Sequence, residues 1–151
     1  MIWWVRHGQS TWNAVDRMQG HELGPPLTDL GRQQAAAAAE ALTDREVIQI
    51  LASPAVRAQQ TAQIIADRLG LEVITEPLLL EKGLDESVDS VLRRIDRLLS
   101  GNRERTVAVS HGDTIGLAVG MLSGRAPVLP ENASITWVDP LTRDVHVQTP
   151  R

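Results

Sequence analysis

The chain has 151 residues, of which 42% are hydrophobic and 23% charged, and its formal net charge is −4. These values exclude disordered and fibrous classes, and we expect one domain over residues 1–151. The absence of cysteine excludes disulfides and thiolate chemistry, and the negative charge argues against general nucleic-acid binding. No apolar run approaches the roughly 20 residues that span a bilayer, nor is the N-terminal run long enough for a signal peptide. We therefore expect a cytoplasmic protein that does not contact membranes.

The first half of the chain predicts strands alternating with helices. Thr28 is suited to cap the N-terminus of the first helix. Ser53 predicts the N-cap of the second helix, with Pro54 at its first helical position and Gly70 as its C-terminal stop. The predicted strands are 2–5 and 47–51, and the predicted helices run from 28 to about 42 and from 53 to 69.

The second half continues the same alternation and ends in two strands. Apolar residues recur at helical spacing from Val88 to Leu99, with a charged opposite side that includes Arg93 and Arg94. Further strands are predicted over 72–75, 106–110, 134–138 and 144–148, and a last helix over about 113–122. The last two strands can pair antiparallel across the Asp139-Pro140 turn. This order predicts an α/β fold, a three-layer α/β/α sandwich whose mostly parallel sheet has an antiparallel edge.

Charged and imidazole side chains follow three of the predicted strands. Arg6 and His7 come after the first strand, Arg57 shortly after the second, and His111 after the strand at 106–110. In an open parallel sheet, ligands bind beyond the carboxyl ends of the strands. We therefore expect two arginines and two histidines to meet at one edge of the sheet.

Two guanidinium groups beside two imidazoles suit phosphoryl transfer through a histidine nucleophile. The attacking nitrogen must be unprotonated, and repulsion from Arg6 and Arg57 is expected to lower the pKa of His7. The leaving alkoxide needs a proton donor. Glu81 follows an apolar run, so partial burial could keep its carboxyl group protonated.

Four segments, in this order along the chain, carry the motifs of a known family. They are RHGQSTWN at 6–13, RMQG at 17–20 with PLT at 26–28, SPAVRAQQTA at 53–62, and SHGD at 110–113. The chain thereby resembles the histidine phosphatase superfamily, in its phosphoglycerate-mutase-like branch, and the segment at 132–135 extends the resemblance.

The resemblance implies a role for each matched polar residue, with no metal and no cofactor. His7 would receive the phosphoryl group, and Glu81 would protonate the leaving group and later activate water. The residues that would hold the substrate are Arg6, Asn13, Gln19, Gly20, Arg57 and His111.

Two segments depart from the family pattern. The loop at 21–25 lacks the usual aspartate, and the motif after Glu81 is reduced to KGLDE at 82–86. The second departure leaves the identity of the acid open, since Asp85 or Glu86 could serve in place of Glu81.

These residues, together with the resemblance, leave three functions open. The first is a phosphatase that acts on a phosphorylated small molecule or a phosphoprotein. The second is a mutase, which generally carries a long insertion around the acid, whereas only the 24 residues of 82–105 separate Glu81 from the next strand here. The third is a non-catalytic phospholigand-binding module, against which the intact His7 argues. An open pocket admits water, which favours the phosphatase, while the natural substrate and the oligomeric state stay open.

Overall fold

A six-stranded sheet forms the centre of the protein in a computed structural model that describes residues 1–17 and 22–151. The strands are β1 (Ile2–Arg6), β2 (Gln49–Ala52), β3 (Val73–Thr75), β4 (Thr106–Ser110), β5 (Ile135–Val138) and β6 (Val145–Gln148). The helices are α1 (Asp29–Ala41), α2 (Val56–Leu69), α3 (Val88–Leu99) and α4 (Gly112–Ser123), and single 3₁₀ turns lie at Asn13–Val15 and Pro77–Leu79. Each of these helices is too short or too polar to span a lipid bilayer.

The strand order is β3-β2-β4-β1-β5-β6, and the four strands from β3 to β1 are parallel. β5 runs antiparallel to β1, and β6 antiparallel to β5, so the antiparallel pair lies at one edge. This topology confirms the predicted α/β fold with a mostly parallel sheet. It also makes β4 the neighbour of both β1 and β2, which places three carboxyl ends side by side.

Each face of the sheet has its own hydrophobic core. Trp3 and Val5 pack with alanines and leucines of α1 and α2, whereas Trp4 and Ile2 pack with α3 and α4 on the other side. Successive residues of a strand point to opposite faces, so β1 contributes large side chains to both cores. The result is the predicted three-layer arrangement, with the sheet held rigidly between two helical layers.

Most predicted element boundaries agree with the structure, and two differ. The Thr28 hydroxyl accepts a hydrogen bond from Gly31 N at 3.0 Å as the N-cap of α1, and Gly70 ends α2 with a φ of 72°. The prediction that Ser53 caps α2 is wrong, because the N-cap is Ala55 and no side chain caps that helix. The Ser53 hydroxyl instead hydrogen-bonds His111, a residue distant in sequence.

The other difference is the position of β2, which begins two residues later than predicted. Glu46 has a left-handed backbone, with a φ of 55°, and the exposed Ile48 donates its amide to Arg105 O at 3.0 Å. Ladder pairing with β4 starts at Gln49, opposite Thr106. The turn at Glu46 therefore sets the start of the strand, and the apolar run alone does not.

Candidate active site

The carboxyl ends of β1, β4 and β2 carry four residues to one edge of the sheet. His7 follows β1 and His111 follows β4, and the two rings lie 5.2 Å apart in an edge-to-face arrangement. Ser53 follows β2, and Arg57 lies in the first turn of α2. All four side chains are fully buried. The structure therefore brings together the histidines and the arginine that the sequence places at separate strand ends.

Hydrogen bonds define which ring nitrogen of His7 is available for chemistry. Nδ1 lies 2.7 Å from Gly8 O, and a carbonyl can only accept, so Nδ1 carries the hydrogen. Gly8 N in turn donates to Thr61 Oγ1 at 3.0 Å, and that hydroxyl donates to Arg57 O at 2.8 Å. Nε2 is buried and has no hydrogen-bond partner among the described residues. The free lone pair of His7 is therefore on Nε2.

The backbone around His7 fits tightly against the first turn of α1. A Cβ atom on Gly8 would lie 2.3 Å from Gly31 O, and one on Gly31 would lie 2.1 Å from Gln9 O. Neither position has room for a side chain, because the obstructing atoms are backbone. This close approach fixes the Gly8 carbonyl that holds the His7 ring.

Burial lowers the pKa of His7 from its ordinary value of 6.5 to about 3. The hydrogen bond to Gly8 O opposes the change, and the positive charges of Arg57 and Arg6 add to it. The sequence predicts the direction correctly from repulsion by the two arginines, but burial is the larger cause. His7 is therefore neutral near neutral pH, as a nucleophile must be.

In both arginines, one guanidinium nitrogen donates a hydrogen bond to a backbone carbonyl, and other N–H groups make no hydrogen bond to the described residues. Arg6 Nη1 donates to Pro130 O at 2.7 Å, and Arg57 Nη1 donates to Glu22 O at 2.8 Å. Arg6 Nε, Arg57 Nε and Arg57 Nη2 are buried and have no hydrogen-bond partner among the described residues. Buried polar donors are rarely left unpaired without a functional reason. These three N–H groups are suited to an oxyanion.

His111 is oriented by Ser53. Its Nε2 lies 2.8 Å from Ser53 Oγ, while its Nδ1 is buried, has no hydrogen-bond partner in the described part of the chain, and lies 3.7 Å from Glu81 Oε1. Burial lowers the pKa of His111 well below 6.5, and the nearby His7 and Arg57 lower it further. A neutral ring with one nitrogen held by Ser53 can present the other to a ligand.

Glu81 lies between Arg57 and His111. Its Oε2 is 3.7 Å from Arg57 Nη2, its Oε1 is 3.7 Å from His111 Nδ1, and 15% of its side chain is exposed. A carboxyl group at this distance, partly open to solvent, can reach both a bound phosphate ester and water.

The two alternative acids lie in different environments. The Glu86 carboxylate binds Arg94 at 2.6 Å, and this hydrogen bond is the main cause that lowers the pKa of Glu86 to about 2. A carboxylate with so low a pKa is a poor proton donor near neutral pH. Asp85 is exposed on the turn after Gly83. Glu81 is therefore the carboxyl group of this segment that contacts the arginine and histidine cluster.

Asn13 lies at the mouth of the site and also braces a turn. Its Oδ1 accepts from Ser10 N at 3.1 Å and lies 3.4 Å from Asn132 Nδ2, which donates to the His7 carbonyl at 3.1 Å. Gln19 and Gly20, predicted to line the substrate side, lie outside the described residues, as does His21.

A pocket of about 430 Å³ lies next to this cluster. Its wall carries positive and negative charges, and the leucines at its edge are about two-thirds exposed. The lining residues are Arg6, Asn13, Asp16, Arg17, Glu81, Lys82, Leu84, Gly112, Asp113, Leu129 and Asn132. Of the site residues, Arg6, Asn13 and Glu81 thus line the pocket, whereas His7, Arg57 and His111 are fully buried beside it.

The same cluster contains three potential metal ligands. His7, Glu81 and His111 each offer a ligand atom, and these atoms lie within 4.8 Å of one another. Arg57 lies 3.7 Å from the glutamate, however, and its buried N–H groups would face a cation with like charge. The donor set fits an anion better than a cation.

Comparison with known proteins agrees with this geometry. Residues 2–86, more than half of the chain, match the sequence profile of the histidine phosphatase superfamily, branch 1. The chain belongs to the histidine phosphatase superfamily. The matched segment includes His7, Arg57 and Glu81, while His111 lies beyond it.

Relatives of this superfamily member carry different names. "Probable phosphoglycerate mutase GpmB" of Yersinia pestis is 42% identical over 80 residues, which are 53% of this chain and 37% of that protein. A mycobacterial glucosyl-3-phosphoglycerate phosphatase solved with VO3 is 26% identical, with a TM-score of 0.81 over 98% of this chain and 96% of that one. The protein histidine phosphatase SixA, solved with tungstate, shares the fold at 23% identity and a TM-score of 0.71, over 97% of this chain and 93% of SixA. The superfamily thus includes proteins named as phosphatases and as mutases.

Three residues around the candidate site are not predicted by the sequence. The sequence pattern predicts Ser53 as a helix cap, contains Thr61 only as part of a motif, and places Arg94 on the charged side of α3. Each acts on another site residue through a hydrogen bond. For Ser53, the available signal was a serine directly after a buried strand, at the edge where ligands bind.

Proposed function

We propose that the protein is a phosphatase that hydrolyses a phosphomonoester through a phosphohistidine intermediate on His7. The observation that carries the proposal is the buried Nε2 of His7 beside N–H groups of Arg6 and Arg57, none of which makes a hydrogen bond to residues 1–17 or 22–151. A tetrahedral phosphoryl group supplies the oxygens that these donors lack, and it offers phosphorus to the nitrogen lone pair.

The first half of the proposed reaction transfers the phosphoryl group to the protein. His7 Nε2 forms a bond to phosphorus while the bond from phosphorus to the ester oxygen breaks, and Glu81 in its acid form gives its proton to that oxygen. Arg6 and Arg57 stabilise the negative charge on the transferring oxygens. His111 Nδ1 adds a donor when its Nε2 accepts from the Ser53 hydroxyl.

The second half releases inorganic phosphate. The Glu81 carboxylate accepts a proton from water, the water oxygen forms a bond to phosphorus, and the bond to His7 Nε2 breaks. Glu81 is then protonated and His7 neutral, which restores the starting state. One group thus acts first as an acid and then as a base.

The openness of the pocket favours water over a second hydroxyl as the acceptor. The segment after Glu81 makes one short turn before α3 begins at Val88, so it has little length with which to cover the pocket. An active site that returns its phosphoryl group to a second hydroxyl must exclude water, because water would otherwise accept the group. The mutase is the second candidate, and it is supported by the name of the Yersinia relative.

The natural acceptor can be determined with a panel of phosphomonoesters. The panel includes 3-phosphoglycerate with and without 2,3-bisphosphoglycerate, and both free phosphate and isomer formation are followed. We expect free phosphate in stoichiometric amounts and no accumulation of 2-phosphoglycerate. Isomer without phosphate would identify a mutase, and binding without either product would identify a phospholigand-binding module.

Because the pKa of His7 is low, we expect the protein to remain active at pH values well below 6.5. Between pH 6.5 and about 3 the unfolded chain binds a proton at His7 that the folded protein does not. His7 therefore lowers the stability of the fold as pH falls through this window, yet remains a nucleophile. We expect phosphoenzyme formation, measured by rapid quench with p-nitrophenyl phosphate so that no proton from Glu81 is needed, to be retained between about pH 7 and about pH 5. A loss with a midpoint near 6.5 would contradict a buried neutral His7.

A further inference from the structure

One side chain from α3 holds the segment that carries Glu81. Arg94 is 17% exposed, and its Nη1 donates to the carbonyl oxygens of Leu78 and Leu80, each at 2.9 Å. Its Nη2 lies 3.5 Å from Glu81 O. The guanidinium group thus contacts three carbonyls in the four residues that end at Glu81. We refer to residues 78–86 as the acid loop.

The same guanidinium group binds the far end of the acid loop. Arg94 Nε donates to Glu86 Oε2 at 3.0 Å, and Nη2 donates to Oε1 at 2.6 Å, which makes a bidentate pair. Glu86 also accepts from Gly83 N at 3.1 Å and from Ser90 Oγ at 2.7 Å. Arg94 and Glu86 therefore join both ends of the acid loop at one point.

The other side of the loop is attached to the elements that carry His111. Ser110 Oγ donates to Leu79 O at 2.6 Å, and Thr114 Oγ1 donates to Leu80 O at 2.9 Å. Leu80 O thus accepts from Arg94 on one side and from α4 on the other. The residue after it is Glu81, whose carboxylate lies 3.7 Å from both Arg57 and His111.

We propose that Arg94, paired with Glu86, is a positioning residue that holds the Glu81 carboxyl group at the distance needed for proton transfer. The proposal rests on the proposed function, because it assigns Arg94 to the step in which Glu81 protonates the leaving group. The acid loop has no regular secondary structure between the turn at Pro77–Leu79 and α3, so its own backbone does not fix Glu81. The fork of Arg94 replaces that missing support, since a planar guanidinium group can bind several acceptors in fixed directions.

A positioning role and a purely structural role of Arg94 predict different effects on the kinetics. A structural arginine would change the stability of the protein and the amount of active enzyme, and would slow all substrates equally. A positioning residue for the acid changes the dependence on the leaving group, because p-nitrophenol leaves readily without a proton and an alkyl alcohol does not. With p-nitrophenyl phosphate, transfer to His7 needs only His7 and the donors that hold the phosphate.

The experiment compares Arg94→Ala, Arg94→Lys and Glu86→Gln in the full chain, with Arg93→Ala as a matched control on the exposed side of the same helix. For each variant, kcat and KM are measured with an alkyl phosphate and with p-nitrophenyl phosphate, and folding is checked by circular dichroism. We expect Arg94→Ala to lower kcat/KM, which reports transfer to His7 and not hydrolysis of the phosphoenzyme, about 100-fold for the alkyl phosphate, the effect of displacing a catalytic group by about 1 Å, with a smaller loss for p-nitrophenyl phosphate. Lysine cannot reproduce the fork, so Arg94→Lys should lie between.

The outcomes separate this proposal from the proposed function. If the unaltered protein hydrolyses no phosphomonoester, the proposed function fails. If the unaltered protein is active but kcat/KM of folded Arg94 variants falls equally for both substrates, or for neither, the positioning role is wrong. Should Arg94→Ala fail to fold, Arg94→Lys and Glu86→Gln decide by the same ratio. Partial recovery of alkyl phosphate hydrolysis when guanidinium ion is added to folded Arg94→Ala would support the proposal.

Discussion

Replacement of His7 by alanine should abolish the phosphoenzyme and lower kcat by about 10⁴-fold or more, as removal of the nucleophile does in other covalent catalysts. The reason is that Nε2 is the ring nitrogen with a lone pair that no described residue uses, beside arginine donors that make no hydrogen bond within the same part of the chain. The measurement is a radiolabelled phosphoenzyme, trapped by denaturation. A phosphohistidine is labile to acid and stable to alkali, which distinguishes it from phosphoserine or an acyl phosphate.

Two further variants make this result specific. His7→Asn supplies an N–H group that can replace the donor to Gly8 O, yet offers no ring nitrogen for attack, so it should be folded and inactive. His146→Ala removes an exposed histidine that stacks on Trp137 at the antiparallel edge of the sheet, and it should retain the phosphoenzyme. An alkali-stable phosphoenzyme in His7→Ala would assign the nucleophile to another residue.

The fold could be predicted from the sequence because its strongest signals are local. The runs at 2–5 and 106–110 are short, apolar and bounded by polar residues, which is typical of buried parallel strands. Gly70 ends α2 because its backbone is left-handed, a conformation that glycine adopts without strain. The start of β2 was not predictable in the same way, because it depends on the left-handed turn at Glu46.

The residues of the candidate site likewise include some that the sequence predicts and some that it does not. His7, Arg57 and His111 could be predicted because parallel strands end at one edge of the sheet, and topology alone then brings them together. Ser53 and Arg94 could not, because each has a partner that is distant along the chain or lies on a loop. A pattern of helical spacing assigns Arg94 to the polar side of α3, but its long side chain reaches back to the acid loop.

The choice among the three carboxyl groups of the acid loop also required the structure. In sequence, Glu81 is the first candidate, and Asp85 or Glu86 could serve in its place within six residues. In the structure, Glu86 is held by Arg94, whereas Glu81 lies near Arg57 and His111. The difference arises from the fold of the loop, which composition does not encode.

Replacement of Glu81 by glutamine should slow substrates according to their leaving groups. Glutamine keeps the size and the hydrogen-bonding oxygen of the side chain but carries no transferable proton. We expect kcat for an alkyl phosphate to fall by about 10²–10⁴-fold, the usual contribution of general acid catalysis. For p-nitrophenyl phosphate the loss of phosphoryl transfer should be less than about tenfold, because nitrophenolate leaves without protonation.

The proposed role of Glu81 in activating water predicts a second effect of Glu81→Gln. If Glu81 also activates water, hydrolysis of the phosphoenzyme slows in Glu81→Gln, so the phosphohistidine should accumulate with p-nitrophenyl phosphate and a burst of nitrophenol should precede slow turnover. Asp85→Asn, at an exposed position of the same loop, serves as the matched control and should behave like the unaltered protein. Equal losses on both substrates without accumulation would show that Glu81 supports the fold of the site but transfers no proton.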